Sequence, residues 1–123
     1  MNAINWFEIP AADFDRAVTF YETILGKPIR REVFAGLPNG ILPYEQDSGV
    51  GGSIVHGDGN TPAMTGPLVY LNTGMELAAV VGRVESAGGQ VLLPLTPIGP
   101  AGTIAVIRDS EGNRVGLHQP LEN

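Results

Sequence analysis

The chain has 123 residues, 43% of them apolar and 16% charged, with a net charge of −6. That balance belongs to a folded globular domain and not to a disordered one. Only seven Lys and Arg are present and they are scattered, so the basic face that nucleic acid requires is missing, and no apolar run reaches the roughly 18 residues of a membrane span.

The chain contains no cysteine, which removes disulfides, thiolate metal sites and a Cys nucleophile, and fits a reducing cytoplasm. No basic segment followed by an apolar one opens the N-terminus, so no secretory signal is expected. Seventeen Gly and ten Pro point to short strands joined by tight turns.

In chain order, Ile4 to Ile9 reads as a short apolar strand carrying Glu8, ended by Pro10. Asp13 is placed to cap a helix, because its carboxylate can accept from free first-turn N–H groups. Phe14, Ala17, Val18, Tyr21 and Leu25 then fall on one helical face, and Gly26 with Pro28 stops the helix. Residues 27–36 read as a strand with Ile29, Val33 and Phe34 for burial. Leu37-Pro38-Asn39-Gly40 reads as a turn, Ile41 to Gln46 as a strand, 47–52 as a turn and Ser53 to His56 as a short strand. Residues 58–66 are rich in turn formers and read as a linker between module one, 1–57, and module two, 67–123.

The pattern then repeats. Leu68 to Thr73 is a strand; Met75 to Ala87 is a helix with Leu77, Val80, Val81 and Val84 on one face. Gln90 to Ile98 is a strand that Pro94 and Pro97 confine to a sheet edge. Gly102 to Arg108 and Asn113 to Gln119 are the last strands, separated by the turn 109–112, in which Glu111 is expected in solvent. A shift of 62 residues superimposes Ala17 on Ala79, Gly26 on Gly88, Asp47-Ser48 on Asp109-Ser110 and His56 on His118, while the helix faces match better at 63.

Two stretches carry a resemblance. Asp13 to Gly26 reads DFDRAVTFYETILG, and Asp109 to Leu117 reads DSEGNRVGL, with a D-x-x-G-N turn before the last strand. Together they resemble the vicinal oxygen chelate superfamily, which includes glyoxalases, bleomycin resistance proteins and extradiol dioxygenases. The resemblance implies an α+β fold of two tandem βαβββ modules, their strands forming a curled mixed sheet around a central cup with the helices outside. It also implies a homodimer and a small-molecule ligand.

Metal-using members of that superfamily place His, Gln or Glu ligands on the first and last strands of each module. Those positions align here with Trp6, Ile54, Leu68 or Val69, and Gly116, none of which donates to a metal. The resemblance therefore implies a small-molecule-binding protein without the family's usual metal centre and without another cofactor. If the alignment holds, alternation along the strands turns Glu8, His56 and His118 into the cup, and Tyr70 with them at a shift of 62. Glu8 and His118 are the candidate catalytic pair, able to pass a proton at neutral pH. Trp6, Tyr44, His56, Tyr70 and Gly116 are candidate ligand contacts, with the aromatic rings as walls for a flat ligand and Gly116 leaving room for it.

Two alternatives stand beside this reading. Glu8, His56 and His118 form a displaced two-His-one-carboxylate site for a divalent metal in an isomerase, lyase or dioxygenase, or the same groups act as a metal-free acid–base enzyme. The Gly-rich run 49–53 lacks the Lys of a phosphate loop, and no Ser sits in a nucleophile elbow. Arg30-Arg31 reads as a solvated edge.

Overall fold

The structure, a computed structural model, describes residues 2–57 and 59–121. Asp58, the first residue of the expected linker, and the outermost residues of the two modules lie outside the described residues. In chain order the elements are β1 (Trp6–Pro10), α1 (Phe14–Leu25), β2 (Arg30–Phe34), β3 (Leu37–Ile41), β4 (Gly51–Val55), β5 (Tyr70–Asn72), α2 (Leu77–Val84), β6 (Gln90–Pro97), β7 (Thr103–Arg108) and β8 (Arg114–Gln119), with a single 3-10 turn, Gly99–Ala101, before β7.

The strands form two separate four-stranded sheets, ordered β1-β4-β3-β2 and β5-β8-β7-β6. In each, the first strand runs parallel to the last and the other pairs are antiparallel. These are two tandem βαβββ modules whose sheets stay unclosed within one chain. Each helix covers one face of its own sheet, and the two helices pack on each other. A single core results, with Ile9, Ile54, Leu71 and Leu117 from the strands meeting Val18, Tyr21, Ile24, Val80 and Val84 from the helices. No helix among the described residues is long and apolar enough to cross a membrane.

The helix signals act as the sequence suggests. The Asp13 carboxylate accepts from the Arg16 N–H at 3.1 Å, and Gly26 ends the helix in the left-handed region at φ 67°. The buried face of α1 also includes Phe20 and Ile24, because this helix is covered by α2 as well as by its sheet.

Several expectations are corrected. The 37–40 stretch is strand, not turn; the hairpin turns at Ala35 and Gly36, both at positive φ (51° and 79°). Gly40 is needed inside β3 because a side chain there would press on α1: a Cβ would lie 3.0 Å from Val18 Cγ2 and 3.1 Å from Ile29 Cγ2. The strand after it ends at Ile41, and β4 begins at Gly51, so the 49–53 run is partly strand. Val33 and Phe34 are exposed on the edge strand β2, and only Ile29 of that group is buried. Arg30 pairs with Glu32, while Arg31 bonds Asp15 and lies over the Phe14 ring.

Glu111 is not solvated. Its side chain is 0% exposed and accepts from Arg16 Nε at 2.7 Å and from the Asp13 N–H at 2.7 Å. A tight turn after β7 thus reaches back to the start of α1. Within the same turn, the Asn113 amide donates to the Pro10 carbonyl at 2.7 Å and Asp109 accepts from the Tyr21 hydroxyl at 2.7 Å. These bonds fasten module two to the first strand and helix of module one.

Candidate functional site

Because the helices cover one face of each sheet, the opposite, open face is where small molecules can reach strand side chains. On β1, Ile9 faces the helices and Trp6 and Glu8 alternate onto the open face. Their Cα partners on β4 are Gly51 and Ser53. Trp6 is 39% exposed and meets Tyr44 edge-on, with ring centroids 6.0 Å apart and planes at 83°. Both rings lie over Gly51, where a Cβ would come within 2.6 Å of the Tyr44 ring and 2.8 Å of the Trp6 ring. On the helix face of the same strand, Gly52 makes room for Phe7, whose ring would sit 2.4 Å from a Cβ. The paired glycines therefore let aromatic rings settle onto β4 from both sides.

Beside Glu8, the floor of the open face is polar. Ser53 Oγ donates to Asn39 Oδ1 at 2.9 Å, and Asn39 Nδ2 donates to the Leu37 carbonyl at 3.2 Å; both residues are buried. Sequence reasoning missed this pair. Only the register Glu8 with Ser53 and Ile41 with Ser53 brings it beside Glu8, and register is a tertiary fact.

In module two, Tyr70 and Asn72 share the open face with Gly116 and His118, their Cα partners on β8. The Tyr70 ring lies over Gly116, where a Cβ would come within 2.4 Å of it. Gly116 thus admits a ring of this chain. The buried pair Ile9 and Ile54 corresponds to the buried pair Leu71 and Leu117. The modules are offset by 62 residues in their first strands and by 63 in their last. Tyr70 accordingly falls on the face equivalent to that of Glu8.

The same offset separates the two histidines. His118 is on the open face, where its Nε2 donates to the Ala101 carbonyl. Ile54 points to the helices, and His56, two residues on, follows it: its Nδ1 donates to the Ala11 carbonyl at 2.9 Å, holding the turn before α1. His56 is equivalent to Gln119, whose Oε1 accepts from the first N–H of α2 at 3.2 Å, and not to His118. Glu8, His56 and His118 are therefore not brought together in one chain. Among the described residues no group of three His, Cys, Asp or Glu is placed to hold a metal ion. The residues present do not fit a displaced metal centre within one chain.

A crevice of about 960 Å³ opens between the modules, lined by Ile4, Phe7, Leu42 and Tyr44 on one side and by Leu68 and Tyr70 on the other. It brings Tyr44 and Tyr70 around one recess. Gly51 and Tyr44 are part of its wall, and Trp6 packs against both; Trp6 itself, Glu8, His56, Gly116 and His118 are outside the lining. Lys27 and Glu45 contribute one charge of each sign.

The sequence matches the family model of the Glyoxalase/Bleomycin resistance protein/Dioxygenase superfamily over residues 3–117. Similar solved structures include a glyoxalase/bleomycin resistance protein from Albidiferax ferrireducens T118, with a TM-score of 0.72 at 14% identity, covering 96% of this chain and 98% of that one. Glyoxalase I from Zea mays gives 0.70 at 17% identity over 96% of this chain but only 47% of its own, so this chain spans about half the length of the maize enzyme. A glyoxalase-related enzyme from Fulvimarina pelagi gives 0.69 at 15% identity, covering 97% and 88%. At these identities the likeness is one of fold. No curated protein matches the sequence.

Proposed function

Because the chain belongs to the Glyoxalase/Bleomycin resistance protein/Dioxygenase superfamily, we propose that it binds a flat, largely apolar small molecule without the help of the family's usual metal. The observation that carries this reading is the aromatic corner at the crevice wall. Trp6 and Tyr44 stand over a bare Gly51, with Tyr70 across a recess large enough for a drug-sized ligand. The metal-free part is supported by Trp6, Leu68 and Gly116, none of which donates to a metal, at three of the aligned ligand positions; Ile54 faces the helices, and the offset of 63 puts the fourth position at Ser53, whose hydroxyl is bonded to Asn39. Of the candidate catalytic pair, Glu8 remains accessible on the open face, whereas His118 already spends one ring nitrogen on Ala101. A homodimer belongs to the same reading: the edge strands β2 and β6 leave Val33, Phe34, Leu92, Leu93 and Leu95 exposed, more apolar surface than scattered single residues account for.

The test has two arms. In a thermal-shift screen of aromatic small molecules, at least one compound raises the Tm saturably, and Tyr44→Ala weakens that compound while keeping the native circular dichroism. A screen without ligands, or ligands indifferent to Tyr44→Ala, overturns the binding reading. Metal analysis of protein purified without chelator, with Fe(II), Mn(II), Ni(II) and Zn(II) added in parallel, gives no stoichiometric metal and no shift. One equivalent of metal overturns the metal-free part. A ligand at a hundredfold excess over its Kd stabilises by about 2.7 kcal/mol, so a true site is not missed.

A further inference from the structure

We infer that the ligand this site selects is an organic cation: a protonated or quaternary amine on a flat apolar body. The inference rests on the small-molecule reading above and adds the sign of the charge. Trp6 and Glu8 are two apart on β1, so they stand on the same face, about 7 Å apart along the strand. Both are exposed. An indole face carries negative quadrupole density and attracts a cation, most strongly when water is partly excluded. A carboxylate one step further along the strand attracts the same charge. The two together form a wall and an end-stop for one ligand, with the flat body over the aromatic corner and the cationic nitrogen towards Glu8.

The other charges on this face do not cancel the preference. The open face of β2 presents Arg30 and Glu32, and these pair with each other at 3.0 Å. Arg31 faces the helices, where it bonds Asp15. Among the described residues Glu8 takes part in no ion pair. Lys27 and Glu45, in the crevice, are of opposite sign. An anionic ligand at Trp6 meets a Glu8 carboxylate that is in no ion pair among the described residues, whereas a cationic one is attracted by it. The net charge of −6 acts in the same direction by raising the local concentration of cations.

Trp6 is the sole tryptophan, so its emission on selective excitation reports this corner directly. Three probes share one flat end and differ in charge: 4-phenylbutylammonium, 4-phenylbutanol and 4-phenylbutyrate. The ammonium is expected to change Trp6 emission saturably with a Kd about tenfold below that of the alcohol, and the carboxylate to bind weakest. Glu8→Gln, an exposed change that leaves the circular dichroism unaltered, should weaken the ammonium severalfold, towards the alcohol, with the remainder of its advantage due to the Trp6 face, and leave the alcohol where it was. Equal Kd values for ammonium and alcohol, tightest binding by the carboxylate, or an unaltered ammonium Kd in Glu8→Gln overturn the charge inference while the small-molecule reading stands. If none of the three probes binds and the aromatic screen is also empty, both readings fail together.

Discussion

Asp109 is 2% exposed and its carboxylate accepts four hydrogen bonds: from the Tyr21 hydroxyl at 2.7 Å, the Glu111 and Asn113 N–H groups at 2.9 Å each, and Asn113 Nδ2 at 3.0 Å. That fills the four lone-pair sites of a carboxylate. Burial first, and then the Asp109 charge, push the Tyr21 phenol well above its ordinary range, so it stays a donor. Tyr21→Phe removes one of the four donors and should cost about 1–3 kcal/mol in urea unfolding; no loss would mean that water replaces the hydroxyl at no cost. Two residues on, burial works to raise the Glu111 carboxyl, but the bonds from Arg16, the Asp13 N–H and Ser110 outweigh it and hold Glu111 below its ordinary value. A carboxyl whose folded pKa is depressed contributes stability that is present above the unfolded value, about 4.3, and is lost as pH falls through the folded one. The stability gap between the native chain and Glu111→Gln should therefore be full at pH 6 and shrink steadily as unfolding is repeated at pH 4 and 3. A gap independent of pH would show that the pairing with Arg16 is not linked to protonation.

At the scale of elements, the helices were legible and the first hairpin was not. Asp13 and Gly26 mark α1 by local chemistry alone, as a side-chain acceptor and a left-handed stop. Asn39-Gly40 carries an equally strong local signal for a turn, yet it lies in the middle of β3. What decides is tertiary: Gly40 packs under Val18 and Ile29, while Asn39 is held by Ser53. Gly40→Ala should cost about 1–3 kcal/mol through overpacking, and adding Val18→Ala should cost less in that background than in the native chain, because the clash goes with the methyl. Additive costs would place the strain elsewhere. The candidate site follows the same division. That Trp6 and Glu8 share a face needs only the two-residue period of a strand, and Tyr70 joins them once the first strands are offset by 62 residues. The separation of His56 from His118 comes from one extra residue between the modules' first and last strands, and no spacing within the chain announces where it falls. The expectation of a solvated Glu111 fails for a related reason: a turn residue is solvated unless another module lies against it, and here Arg16 and the Asp13 N–H of module one do.

Across the whole molecule, the two modules share one core and one set of polar fasteners, and this fixes how the chain should unfold. The helix–helix contact joins Ile24 and Tyr21 to Val80 and Val84 in a single buried cluster. Arg83 of α2 donates from Nε and Nη2 to the Ile24 carbonyl at 3.1 and 2.8 Å, and Asn113 spans to Pro10 and, through Oδ1, to the Ala63 N–H at 3.1 Å. A module of some 57 residues standing alone would bury too little of its surface to be robust, and separating the pair would strand the apolar side of both helices in water. Loss of either module should therefore take the other with it. The chain supplies its own probe: Trp6 lies in module one, whereas far-UV circular dichroism reports helices and strands of both. At one fixed protein concentration, urea transitions followed by Trp6 emission and by circular dichroism should coincide in midpoint and slope. A fluorescence transition that preceded the circular dichroism one would mean that module one melts off a surviving module two, and that the fasteners of the 109–113 turn hold less than their geometry implies.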